Sequence, residues 1–242
     1  EDGIIYLASG NGDDPSEEQK DMTRTELSQK LNEAGSADNF WRPQNSSVQP
    51  DPLIPGAFDD EELRVAVVLD KDGKEIEGYI SIEEAVAAAR SGETIRLEKD
   101  IELTETLKIT GNKSVSIDLN GNTVTGSENK IMIEVGDKTT GEDTSILTLT
   151  DSSQSKSGKV ISDIKANKAA ICVRAGAGMI TENVTLQFID ESKEKVNTMI
   201  QTQGDLTVNS GTKIGSTEAG ITVLGDKGKL IVNDGATIEG EA

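Results

Sequence analysis

Few residues in this chain are of a type and spacing that could do chemistry. Asp70, Asp72 and Glu75 sit in the stretch DKDGKE, where alternate oxygen-bearing side chains could hold a calcium ion. Gly73, however, falls two positions too early for an EF-hand loop, so the stretch reads as a hairpin turn built on Asp72-Gly73 and no metal site is assigned. Asp190 and Glu191 are adjacent carboxylates in a polar segment. Glycoside hydrolysis needs two carboxyls held about 5–10 Å apart across a groove, which neighbours in one loop do not provide. Cys172 is the only cysteine, and the chain has no His to activate it. It reads as a small apolar filler, with no intramolecular disulfide to make and no nucleophilic role. Phe40 and Trp41 remain as candidate ligand-binding residues, an aromatic platform whose competing use is to anchor the segment onto a neighbouring surface. No catalytic residue, metal or cofactor is assigned.

The charge balance narrows the partners. Forty-four acidic residues against 24 basic ones give a formal net charge of −20. That sign argues against nucleic acid and anionic membranes, and polyanionic polysaccharides would be repelled unless divalent cations or a local basic groove intervened. No run approaches the roughly 18 apolar residues of a membrane span, so membrane insertion is not expected. Glu1 stands where Met would begin a gene product, with no apolar signal core behind it, and the chain reads as a mature or excised piece.

What must position any site is a repeating scaffold. LTVNSGTKI at Leu206–Ile214 returns as LIVNDGATI at Leu230–Ile238, an offset of 24 residues. Similar runs occur earlier, at Ile117-Asp118-Leu119 and Leu147-Thr148-Leu149. After each comes a polar turn and a second β run, beginning at Val124, Val160, Ile214 and Ile238. A third run follows in Ile131-Met132-Ile133, Ile171-Cys172-Val173 and Ile221-Thr222-Val223. Three short strands per repeat, separated by Gly, Asn and Asp turns, are what one coil of a parallel β-helix needs. The hydrophobic fraction of only 34%, with three Phe, two Tyr and one Trp, suits a thin aliphatic column better than a bulky core.

The expected inward stack on the first wall is Ile117/Leu119, Leu147/Leu149, Leu206/Val208 and Leu230/Val232. On a second wall it is Ile131/Ile133, Ile171/Val173 and Ile221/Val223. Asp118, Thr148, Thr207 and Ile231 then face outward in line, as do Met132 and Thr222, while Cys172 faces outward or lies beneath the N-terminal strap. The last coil stops after Ile238, leaving an open ladder end, so that either the natural chain continues or this end stacks on another molecule, end to end or side by side.

Two domains are expected. Residues 1–62 hold a helix starting at Asp14-Pro15 and stopping at Gly35, then an extended strap rich in Pro and aromatics. Residues 63–242 hold the solenoid, opened by a hairpin and a capping helix over 82–91, with Ser81 as N-cap and Gly92 as its stop.

YISIEEAVAAARSGETIRLEKDIELTETLKI followed by SVSIDLNGNTVTG resembles the N-terminal cap and first coils of pectate-lyase-like right-handed parallel β-helix domains. The resemblance is to the version carried by surface proteins and adhesins of Gram-positive gut bacteria. It covers Tyr79 to Ala242. It implies an all-β solenoid, extracellular and at the bacterial cell surface. Enzymatic members carry stacked Asp residues for Ca²⁺ and a nearby Arg or Lys base, and the outward column read here has no such stack. The expected function is a non-catalytic structural or adhesive module. A host or bacterial surface protein is favoured over a glycan as partner, because only Tyr79 and Phe188 are aromatic from Leu63 onward. A polysaccharide lyase or glycoside hydrolase is the alternative.

Overall fold

The computed structural model describes residues 64–126, 130–138, 142–164, 169–189, 198–215, 219–225 and 227–240. The helix and strap expected over 1–62, with Phe40 and Trp41, lie outside the described residues.

The first elements close the end of a column. Strands β1 (Ala66–Leu69) and β2 (Glu75–Tyr79) form an antiparallel hairpin. Its turn is held by the Asp70 carboxylate, which accepts from the Asp72 and Lys74 amides at 2.9 Å each, while Gly73 takes the positive φ of 80° that the turn demands. Helix α1 (Ile82–Ala88) starts where Ser81 Oγ accepts from the Glu84 amide at 3.2 Å. It ends three residues before the expected 91, because Ala89 turns into extended backbone. Its apolar face, Ile82, Ala85 and Val86, is buried in one cluster with Ile95 and Ile109. Seven residues are too few for a helix to persist alone, so this burial is what holds it.

The rest is a solenoid of three strands per coil. The coils are β3 (Thr94–Leu97), β4 (Ile101–Leu103), β5 (Leu107–Ile109); β6 (Ser114–Asp118), β7 (Thr123–Gly126), β8 (Ile133–Val135); and β9 (Ile146–Thr150), β10 (Lys159–Ser162), β11 (Ala169–Val173). They continue with β12 (Gly178–Glu182), β13 (Thr185–Phe188), β14 (Thr198–Thr202); β15 (Asp205–Val208), β16 (Lys213–Ile214), β17 (Ala219–Val223); and finally β18 (Lys229–Val232), β19 (Thr237–Ile238). Every third strand stacks on the one before. The sheets run β18-β15-β12-β9-β6-β3-β1-β2, β19-β16-β13-β10-β7-β4 and β17-β14-β11-β8-β5. All pairings from β3 onward are parallel, and β1 joins β3 antiparallel. The chain is a parallel β-helix plugged by α1 and the hairpin.

The core is a set of vertical aliphatic columns. Leu147, Met179, Leu206 and Leu230 are in register on the first sheet, as are Val124, Val160, Leu186, Ile214 and Ile238 on the second. Ile133, Ile171, Ile200 and Ile221 form a column on the third. Each buried aliphatic contributes about 1.5–3 kcal/mol before conformational entropy is set against it. Consecutive turns also approach closely. A Cβ on Gly204 would stand 2.1 Å from the Ala177 carbonyl oxygen, so only glycine fits there.

Several expectations are corrected. A whole coil, β12 to β14, lies between the repeats read as neighbours, so Leu206 stacks on Met179 rather than on Leu147. Ile117 lies level with Leu149 and Val115 with Leu147, a slip of two residues from the expected match, and Leu119 is buried in the following turn. Strand β8 is Ile133–Val135, and Met132, expected outward, is 2% exposed within the core while Ile131 is only partly covered. A slip of two keeps every side chain on its face, so alternation alone does not detect it.

Candidate functional site

The polar turns of the middle coils carry three carboxylates that the fold buries. Asp143, just ahead of β9, accepts from the Gly111 amide at 2.9 Å and the Asn112 amide at 3.2 Å, both on the coil before, and from Ser145 N at 2.8 Å and Ser145 Oγ at 2.5 Å. Asp151, just after β9, accepts from the amides of Gly121 at 2.9 Å, Ser153 at 2.9 Å and Gly158 at 2.6 Å. Asp118, at the end of β6, accepts from the Asn120 amide at 3.0 Å, the Ser152 amide at 2.8 Å and Ser152 Oγ at 2.5 Å. Each carboxylate ties its own coil to an adjacent one.

The electrostatics follow from those bonds. Burial pushes the Asp143 carboxyl up, but Ser145 and the Gly111 and Asn112 amides more than offset it and leave the group below its usual range. Burial likewise raises Asp151, and the donors on Gly158, Ser153 and Gly121 together bring it below the ordinary value. Both are ionised at neutral pH with their lone pairs directed into the turns. Taking up a cation or a proton would unlatch the coil.

The outer face of the third sheet carries a second grouping. Lys108, Glu134, Cys172, Gln201 and Thr222 stand in one outward column. Arg174 donates to Glu134 from Nε at 2.6 Å and also from Nη2, and both side chains are largely covered. Cys172 keeps the outward register expected of it, yet it is 3% exposed, with Sγ 4.0 Å from Gln201 Oε1. Burial pushes its thiol up, the Arg174 charge lowers it and Glu134 raises it again, for a net rise. A protonated thiol packed against an ion pair is a filler and a weak donor.

The carboxylates singled out from sequence are not brought together. Asp70 is engaged by the hairpin amides, Asp72 lies 3.4 Å from Lys71 Nζ, and Glu75 pairs with Arg64 at 2.5 Å. Asp190 and Glu191 lie outside the described residues. Asp118, expected in line with Thr148 and Thr207, stands instead in a column with Arg96, Thr150 and Glu182. The column of Thr148 and Thr207 contains Ser116, Ile180 and Ile231. Neither places carboxylates on successive coils. Among the described residues no three His, Cys, Asp or Glu side chains converge for a metal, and no helix is long and apolar enough to cross a membrane.

The buried clamps Asp143 and Asp151 were missed in the sequence, although a signal was there. Asp143-Thr144-Ser145 just ahead of a β run and Asp151-Ser152-Ser153 just after it each place Ser two residues after Asp, the pattern of a side chain that closes its own turn.

Comparison with family models, with curated proteins and with solved structures returns no match for this chain.

Proposed function

We propose that this chain is a non-catalytic structural or adhesive module of a bacterial surface protein, set outside the cell, where it engages a protein partner or serves as a stalk. The observation that carries the reading is the use made of Asp118, Asp143 and Asp151. Carboxylates at the turns of a solenoid could build a Ca²⁺ or acid–base site, and here Asp118, Asp143 and Asp151 are spent instead on turn amides and hydroxyls. A column so tied, gaining about 4.8 Å per coil, resists bending and holds whatever it carries at a set distance. The resemblance of Tyr79–Ala242 to surface-protein β-helices supports the location, and the charge of −20 suits an exposed, soluble surface.

Incubation with a panel of plant and host glycans, with and without Ca²⁺, tests the reading. No product release is expected. Reproducible release of oligosaccharide would replace it with the lyase or hydrolase alternative. Pull-down from host mucus or serum then separates adhesin from stalk, since an adhesin retains a defined protein and a stalk does not.

A further inference from the structure

The turn between β6 and β7 carries a reactive pair. The Asn122 amide donates to the Leu119 carbonyl at 2.8 Å, and between them Asn120 takes φ 48° and Gly121 φ 83°. Two successive left-handed residues make a type I′ turn, which Asn-Gly adopts at least cost. Asn-Gly is also the dipeptide in which a backbone nitrogen most readily attacks the preceding side-chain amide, because glycine puts no Cβ in the way. The sequence holds one other such pair, Asn11-Gly12, outside the described residues. In later turns Asn209-Ser210 and Asn233-Asp234 place a side chain after the asparagine. Asn120 and Gly121 are half-buried, so water reaches them.

The fold holds both partners of that reaction. The nucleophile would be the Gly121 nitrogen, and its N–H donates to Asp151 Oδ1 at 2.9 Å. Asp151 is fully buried and accepts from the Ser153 and Gly158 amides as well. Taking the proton from Gly121 would set an amide anion 2.9 Å from a carboxylate, where water does not screen the two charges. The electrophile would be Asn120 Cγ. Asn120 Nδ2 donates to the Leu97 carbonyl at 3.1 Å, which draws this side chain toward the first coil. Leu97 thus grips the turn from the coil before and Asp151 from the coil after.

We infer that Asn120-Gly121 is a site of spontaneous deamidation gated by Asp151, closed while the second and third coils are latched and open once they part. The reaction needs only water and mild base. Gly121 N loses its proton to solvent and bonds to Asn120 Cγ. The Cγ–Nδ2 bond breaks, and ammonia leaves with a proton from solvent. Water then adds to one of the two carbonyl carbons of the cyclic imide. Opening on one side gives aspartate at position 120, and opening on the other gives isoaspartate, whose backbone runs through the side-chain carboxyl.

The change is one-way. Isoaspartate adds a carbon to the backbone of a two-residue turn, so Gly121 N no longer meets Asp151. Aspartate adds a negative charge beside Asp118, which already accepts from the Asn120 amide at 3.0 Å. Either product keeps the latch from re-forming and leaves the second coil released from the third at this corner.

Peptide mapping of the whole chain by mass spectrometry at pH 8.5 reads the site, since the peptide mass changes when NH2 becomes OH. Asn120 should convert about tenfold or more slowly in the folded chain than in urea, a ratio that 1.36 kcal/mol of barrier supplies. Asp151→Ala, shown to be folded by circular dichroism, should raise conversion in buffer about tenfold by the same measure. Leu206→Ala, two coils beyond Asp151, lowers stability without touching the turn and should leave the rate unchanged. Folded conversion as fast as in urea overturns the inference. Equal acceleration by both variants overturns it too, because the reaction would then run through unfolding of the whole column. Amide exchange on the unsubstituted chain needs no variant: Gly121 N–H should be as protected as the amides of β6, and exchange at the rate of an open turn overturns the gate. Permanence is read by holding the unsubstituted chain and Asn120→Gly in urea at pH 8.5 and refolding both. Glycine accepts the left-handed φ and has no amide to lose, so only the unsubstituted chain should return with a lowered urea midpoint. Equal recovery overturns the one-way step.

Discussion

The Lys113 ammonium lies 2.8 Å from the Val86 carbonyl oxygen, 3.3 Å from that of Ala87 and 3.2 Å from that of Ala89, so a side chain from the second coil collects the open carbonyls at the end of α1. The helix has no basic residue in its own last turn. Lys113 supplies that charge from 24 residues or more along the chain and ties the plug to the column. Lys113→Met keeps the apolar stem and removes the donors. It is expected to cost about 1.5–3 kcal/mol in urea unfolding, the range of hydrogen bonds to a charged group. Arg should restore part of it.

Leu206 and Leu230 occupy the same place in the repeat but not the same environment. Leu206→Ala is expected to cost about 2–5 kcal/mol, because the coils above and below keep the cavity from closing. The same change at Leu230, which is 37% exposed, should cost well under half as much when measured at low concentration. Val208→Asp would bury a charge at a fully covered position and should abolish cooperative unfolding. Equal losses at Leu206 and Leu230 would mean the end of the column is covered in solution.

Acid should loosen the turns. The folded-state carboxyls of Asp143 and Asp151 lie below the ordinary aspartate value of 3.8. The unfolded chain therefore binds protons first as pH falls, and the stability these groups add is complete above the ordinary carboxylate range. It is lost as pH drops through 3.8 toward their lower folded values. Urea midpoints between pH 7 and pH 2 should fall over that window. In Asp151→Asn the slope should flatten, with about 1–3 kcal/mol already lost at neutral pH, since one amide nitrogen must now face a backbone donor.

Thr181 interrupts an otherwise aliphatic column of Leu149, Val208 and Val232, and its buried hydroxyl has no hydrogen-bond partner. Thr181→Val replaces an unsatisfied polar atom by a methyl group of the same shape. A gain of about 1 kcal/mol is expected by thermal or urea unfolding. A loss would place a water on that hydroxyl.

That same Thr181 explains why a coil escaped the repeat reading. GMITE of β12 sets Met179 and Thr181 inward instead of a Leu or Val pair, so the pattern fades where the strand persists. Stacking by the neighbouring coils holds it in place.

From the sequence alone came the parallel β-helix, the hairpin at Asp72-Gly73, the Ser81 cap, and the stacking of Leu206 under Leu230, Val208 under Val232 and Ile214 under Ile238. These are local alternation, turn chemistry and a repeat, and each is written in neighbouring residues. The tertiary structure decided which coil lies on which, the burial of Met132 and Cys172, the grip of Lys113 on α1 and the capture of Asp118, Asp143 and Asp151 by turn donors of adjacent coils. Those depend on vertical register between residues about 25–35 positions apart. A strand's two-residue period sets which face a side chain takes but not how far it slides, and only the hydrogen bonds between coils settle the shift.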